Sequence, residues 1–168
     1  MSKCSKLKKR ARELFIAGKV QELNKVLDEM RDNGSWEYNG EWHCSGECRA
    51  DFSGLILKGS EKHPVDLSGL NLDGTDMRDV RIIYAKMKGV SMRQCDIRKG
   101  KFIRVDLEDA DLRRSNVEGA VFDHVDFEDA NLGKKGKKGK NRRPYKLKDA
   151  VFKKPLNLPK WVQQLLPS

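Results

Sequence analysis

The segment GKKGKKGKNRRP, residues 133–144, holds the residue types that point most directly to chemistry with a partner. Lys134, Lys135, Lys137, Lys138, Lys140, Arg142 and Arg143 form a cationic strip, and the interleaved glycines let it follow a phosphate backbone. Such a strip implies salt-sensitive, largely sequence-independent attraction to DNA or RNA, and an acidic protein patch is a further target of the same charge. No aromatic side chain precedes Tyr145, so base stacking is not indicated. The glycines also lack the GK[S/T] ending of a phosphate-binding loop.

Little else in the chain is arranged for catalysis. His43, His63 and His124 stand far apart, and acid pairs such as Glu108–Asp109 and Glu128–Asp129 fit a solvated surface. No catalytic residue is assigned, and the protein is not expected to be an enzyme. HCSGEC, with Cys44 and Cys48, has a cysteine spacing that zinc accepts, together with His43 or His63. No second cysteine pair completes such a site, so no metal and no cofactor is assigned. The four cysteines are irregularly placed, which argues against a disulfide framework and for a reducing cytoplasm.

The net charge of +10 is unevenly spread. Residues 65–132 carry 11 basic and 14 acidic groups, whereas residues 133–168 carry 12 basic groups and 1 acidic. The basicity therefore belongs to one stretch near the C-terminus, as in a tail or loop that meets an anionic partner. No segment approaches the roughly 20 apolar residues of a membrane span, and the basic start MSKCSKLKKR lacks the apolar run of a secretory signal.

What must position the cationic strip is a repeat of five. At positions 52, 57, 62 and onward to 132, then 147 and 152, 18 of 19 residues are apolar, Lys62 being the exception. Two residues earlier, 16 of 19 are small or β-branched, the exceptions being Leu55, Leu70 and Tyr145. Neither the 3.6-residue helical period nor the 2-residue strand period explains this. A chain that turns a corner after each unit, with the large and the small residue both inward, does. Four corners close a square coil of about twenty residues, and coils stack at the ordinary strand spacing of about 4.8 Å.

The units VDLSG, LNLDG, CDIRK, VDLED, ADLRR and ANLGK resemble the A(D/N)LXX pattern of the pentapeptide-repeat family over residues 50–134 and 145–154. That resemblance implies a mainly β fold, a right-handed quadrilateral β-helix. It also implies a spread of roles, among them bacterial proteins that bind DNA gyrase by imitating duplex DNA. The repeat phase resumes after 144, so residues 135–144 are expected to be an insertion thrown out from nearly five coils. SEKHP, residues 60–64, is expected to be a bulge in the first coil.

A solenoid needs caps. Residues 3–32 predict a helical hairpin with apolar stripes at Leu7, Ala11, Leu14 and Phe15 and at Val20, Leu23, Leu27 and Met30, broken at Gly18 and ended by Gly34. WEYNGEWH predicts a β-hairpin around Asn39-Gly40, whose Trp36, Tyr38 and Trp42 pack the helices onto the rod. Trp161, Val162, Leu165 and Leu166 predict a short C-terminal cap helix. The expected divisions are residues 1–49, the N-terminal cap; 50–154, the β-helix; and 155–168, the C-terminal cap.

Folding the chain into squares places residues twenty apart on one face. Asp106, Glu108 and Asp109 then lie beside Asp126, Glu128 and Asp129 as an acidic patch. On the preceding face Ile83, Tyr84, Ile103 and Val121, rimmed by Arg81, Lys101, Arg104 and His124, make a candidate protein-contact surface. Arg93, Arg98 and Lys99 add basic charge to one coil. The sequence therefore points to a cytoplasmic regulator, in a bacterial cell or a phage-infected host. It would dock on RNA polymerase, a topoisomerase or a related machine, with the basic loop on DNA or RNA. The alternatives are a DNA-mimicking gyrase binder, for which a short rod of −3 and a basic segment are poor material, and a scaffold component that binds nucleic acid. The C-terminal helix offers a route to a homodimer, and no membrane is involved.

Overall fold

The computed structural model describes residues 2–38, 41–44, 48–133 and 150–164, with backbone alone for 34–38 and 41–44. The chain opens with α1 (Lys3–Ile16) and α2 (Val20–Gly34). Ser2 caps α1 by accepting from the Ser5 amide at 3.2 Å, and Gly18, at φ +65°, makes the break that an L side chain would strain. An antiparallel hairpin follows, β1 (Ser35–Tyr38) paired with β2 (Glu41–Cys44) in the register Tyr38↔Glu41.

The remainder is a stack of parallel strands. These are β3 (Ile56–Lys58), β4 (Val65–Asp66), β5 (Arg81–Lys86), β6 (Lys101–Asp106), β7 (Val121–Asp123) and β8 (Val151–Lys153). In spatial order β3, β5, β6, β7 and β8 run side by side, with β4 also on β5. Ile82 pairs with Phe102 and Phe102 with Phe122, a step of twenty residues per coil. Single bridges repeat that step on the other faces, Asn71↔Ser91↔Asp111↔Asn131 and Asp76↔Asp96↔Asn116. The architecture is a quadrilateral β-helix.

Both expected departures from the period appear in the register. Ile56 pairs with Arg81, twenty-five residues on, but Val65 pairs with Ala85, twenty on, so five extra residues lie between β3 and β4. Lys62 is therefore no core position: residues 60–63 are exposed, and the chain holds one repeat fewer in its stack than the five-residue count implies. Gly59 lets this loop leave, because a Cβ there would stand 2.5 Å from the Tyr84 carbonyl oxygen and 2.7 Å from the Val65 nitrogen. At the other end Val121 pairs with Val151, thirty residues on, which accommodates an insertion of ten.

The inward positions fill the rod. Leu67, Leu72, Met77, Ile82, Met87, Met92, Ile97, Phe102, Leu107 and Leu112 are all completely buried, as are the small Val80, Val90, Ala110 and Ala120. Leu70, large at a small position, is equally buried. Phe122 stacks between Phe102 at 5.2 Å and Phe152 at 5.1 Å, running an aromatic column through three coils.

Apart from Gly59, the described corners fall two residues after the large apolar one, at a positive φ. Glycine serves at 54, 69, 74, 89 and 119, but Asp79, Gln94, Lys99, Asp109 and Arg114 adopt the same conformation. An L side chain there costs about 1–2 kcal/mol. The corner is closed in most repeats by an amide three residues beyond the apolar carbonyl, as in Ala110 N to Leu107 O at 3.0 Å. At Tyr84 and Arg104 the strand instead runs through the corner unbroken.

The caps use the expected stripes. Ala11, Leu14, Phe15, Leu23, Leu27 and Met30 are buried, and Phe15 stacks on Phe52 of the first coil at 4.5 Å. The sealing role expected of Trp36, Tyr38 and Trp42 concerns side chains outside the described residues. At the far end Leu158 and Val162, the latter in α3 (Lys160–Gln163), are buried, while Leu165 and Leu166 lie outside the described residues. One expectation is corrected: Cys4 of α1 and Cys48 form a disulfide between the first helix and the approach to the rod. Forty-four residues separate them, so their proximity is a product of the hairpin folding back and leaves no trace in local spacing.

Candidate functional site

Four outward faces follow from the coil. Face one is centred on Met77, Ile97 and Val117; face two on Leu57, Ile82, Phe102 and Phe122; face three on Leu67, Met87, Leu107 and Phe127; face four on Leu72, Met92 and Leu112. Face two carries the candidate contact surface. Ile56, Arg81, Lys101, Val121 and Val151 stand in one row, and Lys58, Ile83, Ile103, Asp123 and Lys153 in the next. Ile56 is 59% exposed and Val151 41%, so the first row shows apolar side chains to solvent at both ends and two cations, Arg81 and Lys101, between them. The Arg104 guanidinium lies over the Tyr84 ring, 5.7 Å from its centre. Arg81 and Lys101 are exposed and have no ion-pair partner among the described residues. His124 instead meets Asp123 at 2.7 Å.

Face three brings the six predicted carboxylates together. Asp106 bridges to Asp126, and the Asp109 amide donates to the Glu128 carbonyl at 2.9 Å. The group is less acidic than its letters suggest. Lys88, one coil below, pairs with Glu108 and stands 3.6 Å from Asp106. The hydrogen bond to Glu108 holds the Lys88 ammonium above its ordinary pKa. Asp126 accepts from Asn157 at 2.9 Å, and Asp109, Glu128 and Asp129 remain exposed.

Faces one and four carry a feature the sequence reading missed. Asp76, Asp96 and Asp111 each hold the arginine two residues on, Arg78, Arg98 and Arg113, through Nε and Nη2 at 2.6–3.0 Å. Arg93 makes the same grip on Asp73 of the coil below. Burial would raise the pKa of Asp76, Asp96 and Asp111, but hydrogen bonds from the arginine side chain and amide outweigh it and hold all three below the usual carboxylate value. The signal was the triplet D-x-R in DMR, DIR and DLR, where the residues flanking one apolar position point out together. The basic charge expected from Arg93 and Arg98 is thus largely internal. A groove of about 530 Å³ between α2 and face four is lined by such pairs, Arg31 with Asp28 and Arg93 with Asp73.

The cationic strip, Lys134, Lys135, Lys137, Lys138, Lys140, Arg142 and Arg143, lies outside the described residues. The described residues on either side are Gly133, whose amide donates to Asn131 Oδ1 at 3.0 Å, and Val151, whose amide donates to Ala120 O at 2.8 Å. Cys95 is 2% exposed inside the rod, and burial pushes its thiol up to about 12, which makes it inert.

A square parallel solenoid with one apolar–basic face and one acidic face is a stacked-repeat architecture. Residues 65–98 and 101–134 match the pentapeptide-repeat family in eight copies, a match that lies within the quadrilateral β-helix and covers less than half of the chain. Among solved structures, HetL, a pentapeptide-repeat protein involved in heterocyst differentiation regulation from the cyanobacterium Nostoc sp. strain PCC 7120, is similar at 18% identity and a TM-score of 0.49. That match covers 64% of this chain and 46% of HetL, so the chain spans under half of HetL's length. Rfr23, from the cyanobacterium Cyanothece 51142, is 12% identical over 68% of this chain and 67% of its own, with a TM-score of 0.41. QnrB1, a plasmid-mediated fluoroquinolone resistance protein, is 18% identical over 70% of this chain and 58% of its own, with a TM-score of 0.27. No curated protein sequence matches the chain. No helix among the described residues is long and apolar enough to cross a membrane.

Proposed function

We propose that this protein is a non-enzymatic regulator that docks on a protein component of a nucleic-acid machine, such as RNA polymerase or a topoisomerase. Face two grips the protein, and the basic loop touches DNA or RNA. The observation that carries the reading is the pairing of Ile83 with Ile103 beside the row of Arg81 and Lys101, which have no ion-pair partner among the described residues. An apolar strip with a cationic rim suits a partner surface that is apolar at its centre and acidic around it. The loop adds a salt-sensitive attraction that selects partners already carrying nucleic acid.

DNA mimicry by the six carboxylates of face three is the second reading. Lys88 works against it, because it neutralises the lower edge of the patch. A scaffold role would use the same loop on packaged nucleic acid.

The test is capture of purified RNA polymerase and purified gyrase by four forms: the intact chain, a chain lacking 135–144, the Ile83→Asp/Ile103→Asp variant, and a variant with Asp109, Glu128 and Asp129 changed to Lys. Loss of nuclease-resistant binding in the isoleucine variant alone supports face two. Loss in the lysine variant alone would replace it with mimicry. Binding by neither enzyme, with co-sedimentation only on assembled particles, would favour the scaffold.

A further inference from the structure

The groove of about 530 Å³ between α2 and face four has the size of a small-molecule site. Its walls carry charged and amide side chains with Gly74, and among the described residues no aromatic or apolar side chain lines it. Three of its guanidinium groups are held in place. Asp73 accepts from Ser91 Oγ at 2.6 Å and from the Arg93 amide at 2.8 Å, and it grips Arg93 through Nε at 2.8 Å and through Nη2. Asp111 grips Arg113 in the same way, at 2.6–3.0 Å. Across the groove Arg31 donates to Asp28 at 2.7 Å and to the Asn71 carbonyl oxygen at 3.4 Å. A guanidinium carries five N–H donors, and each clamp uses Nε and Nη2. Nη1 of Arg93 and of Arg113 therefore has no partner among the described residues. The two arginines are vertical neighbours, since the Gln94 amide donates to the Arg113 carbonyl oxygen at 3.0 Å. The hydrogen bond to Asp73 holds the Arg93 guanidinium above its ordinary pKa, and the charge of Arg113 presses it the other way. An anion laid across both relieves that repulsion.

We propose that this groove binds a small phosphate-bearing ligand, whose phosphate oxygens accept from the unspent donors of Arg93 and Arg113. Guanidinium groups suit phosphate because their N–H donors lie in one plane, and fixation by Asp73 and Asp111 lowers the entropy lost on binding. Gln94, on the same wall, offers its side-chain amide to the ligand's hydroxyl groups. No ring is present to stack a base, so the walls favour a phosphorylated polyol over a nucleotide. The carboxylates leave room for an anion. Asp73 is occupied by its four hydrogen bonds, and Asp28 and Asp32 stand exposed on α2, where solvent and salt screen them. A ligand held between Arg93 and Arg113 on the rod and Arg31 on the cap fastens α2 to face four. The site lies on a different wall from face two and is tested independently of the docking reading.

The experiment is calorimetric titration of the full chain, at about 0.15 M salt, with inorganic phosphate, ribose 5-phosphate and ribose. One saturable site is expected for the phosphates and none for ribose, and the tighter of the two phosphates tells an ester from the free ion as the ligand. Arg113→Gln should weaken binding by about tenfold or more. Arg98→Gln removes the equivalent clamp from face one, outside the groove, and should leave binding unchanged. Thermal unfolding of both variants checks the fold, so a loss confined to Arg113→Gln reports the groove. Absence of saturable binding by either phosphate would overturn the proposal, as would unchanged binding in Arg113→Gln or an equal loss in both variants.

Discussion

Faces one and two of the same rod handle charge in opposite ways. On face one each exposed arginine is clamped by the carboxylate two residues before it, Arg78 by Asp76 and Arg98 by Asp96. On face two Arg81 and Lys101 stand two residues before isoleucines with no carboxylate in that position, and they have no ion-pair partner among the described residues. The backbone is the same coil in both cases, so the difference lies in the two residues that flank the large apolar one. Aspartate before it and arginine after it close the charges on each other, whereas Arg81 and Lys101, each followed by an isoleucine two residues on, have no such clamp. If face two is the docking surface proposed above, stability and recognition are divided between faces, and four experiments probe that division.

The largest effect is expected inside, where the faces meet. Phe122→Ala removes the middle ring of the Phe102–Phe122–Phe152 column and should cost about 3–5 kcal/mol in denaturant unfolding. Next comes Gly59→Ala, which forces a Cβ against the Tyr84 carbonyl. A loss of roughly 1–3 kcal/mol is expected, with face two shifted at Tyr84. Asp96→Ala opens one clamp on face one and should cost about 1 kcal/mol, with no change in partner capture. The smallest change in stability, within about 0.5 kcal/mol, is expected for Lys101→Ala on face two, yet partner binding should weaken and lose salt dependence. Equal losses of stability from the last two variants would erase the contrast.

The clamps also set a pH dependence. Asp76, Asp96 and Asp111 have pKa values below 3.8 in the folded chain and near 3.8 in the unfolded one. The unfolded state therefore binds protons first as pH falls. Their contribution is complete above the unfolded value and is lost as pH drops through it toward the folded values. Thermal midpoints should be level from pH 7 to about 5 and decline below about 4, with a shallower decline in Asp96→Asn.

Much of this was legible in the letters. The five-residue phase announced the coil, the acidic stack on face three and the isoleucine pair on face two, because a twenty-residue coil turns sequence distance directly into position. Legibility ended where that rule did. Lys62 kept the phase by coincidence of length, since a loop of five residues shifts nothing downstream. The Cys4–Cys48 bond depends on how a helical hairpin returns to the rod, which no periodicity encodes. Lys88 softened the acidic patch from the coil below, a vertical neighbour that reading along the chain separates by twenty residues. The D-x-R clamps were visible as triplets, but only the geometry of side chains flanking one inward residue gives them meaning.

The two interruptions carry a last consequence. Because an insertion can leave at one corner and the coil resume with its pairing intact, every residue of the rod has an address: a height in steps of about 4.8 Å and one of four compass directions. Lengthening an insert changes its closure cost by only about 0.6 kcal/mol per doubling. A corner such as the one at Gly59, where residues 60–63 stand exposed and the coil resumes at Val65, is thus a mounting point, where a foreign peptide can be displayed at chosen height and bearing while the pillar beneath it stays unchanged.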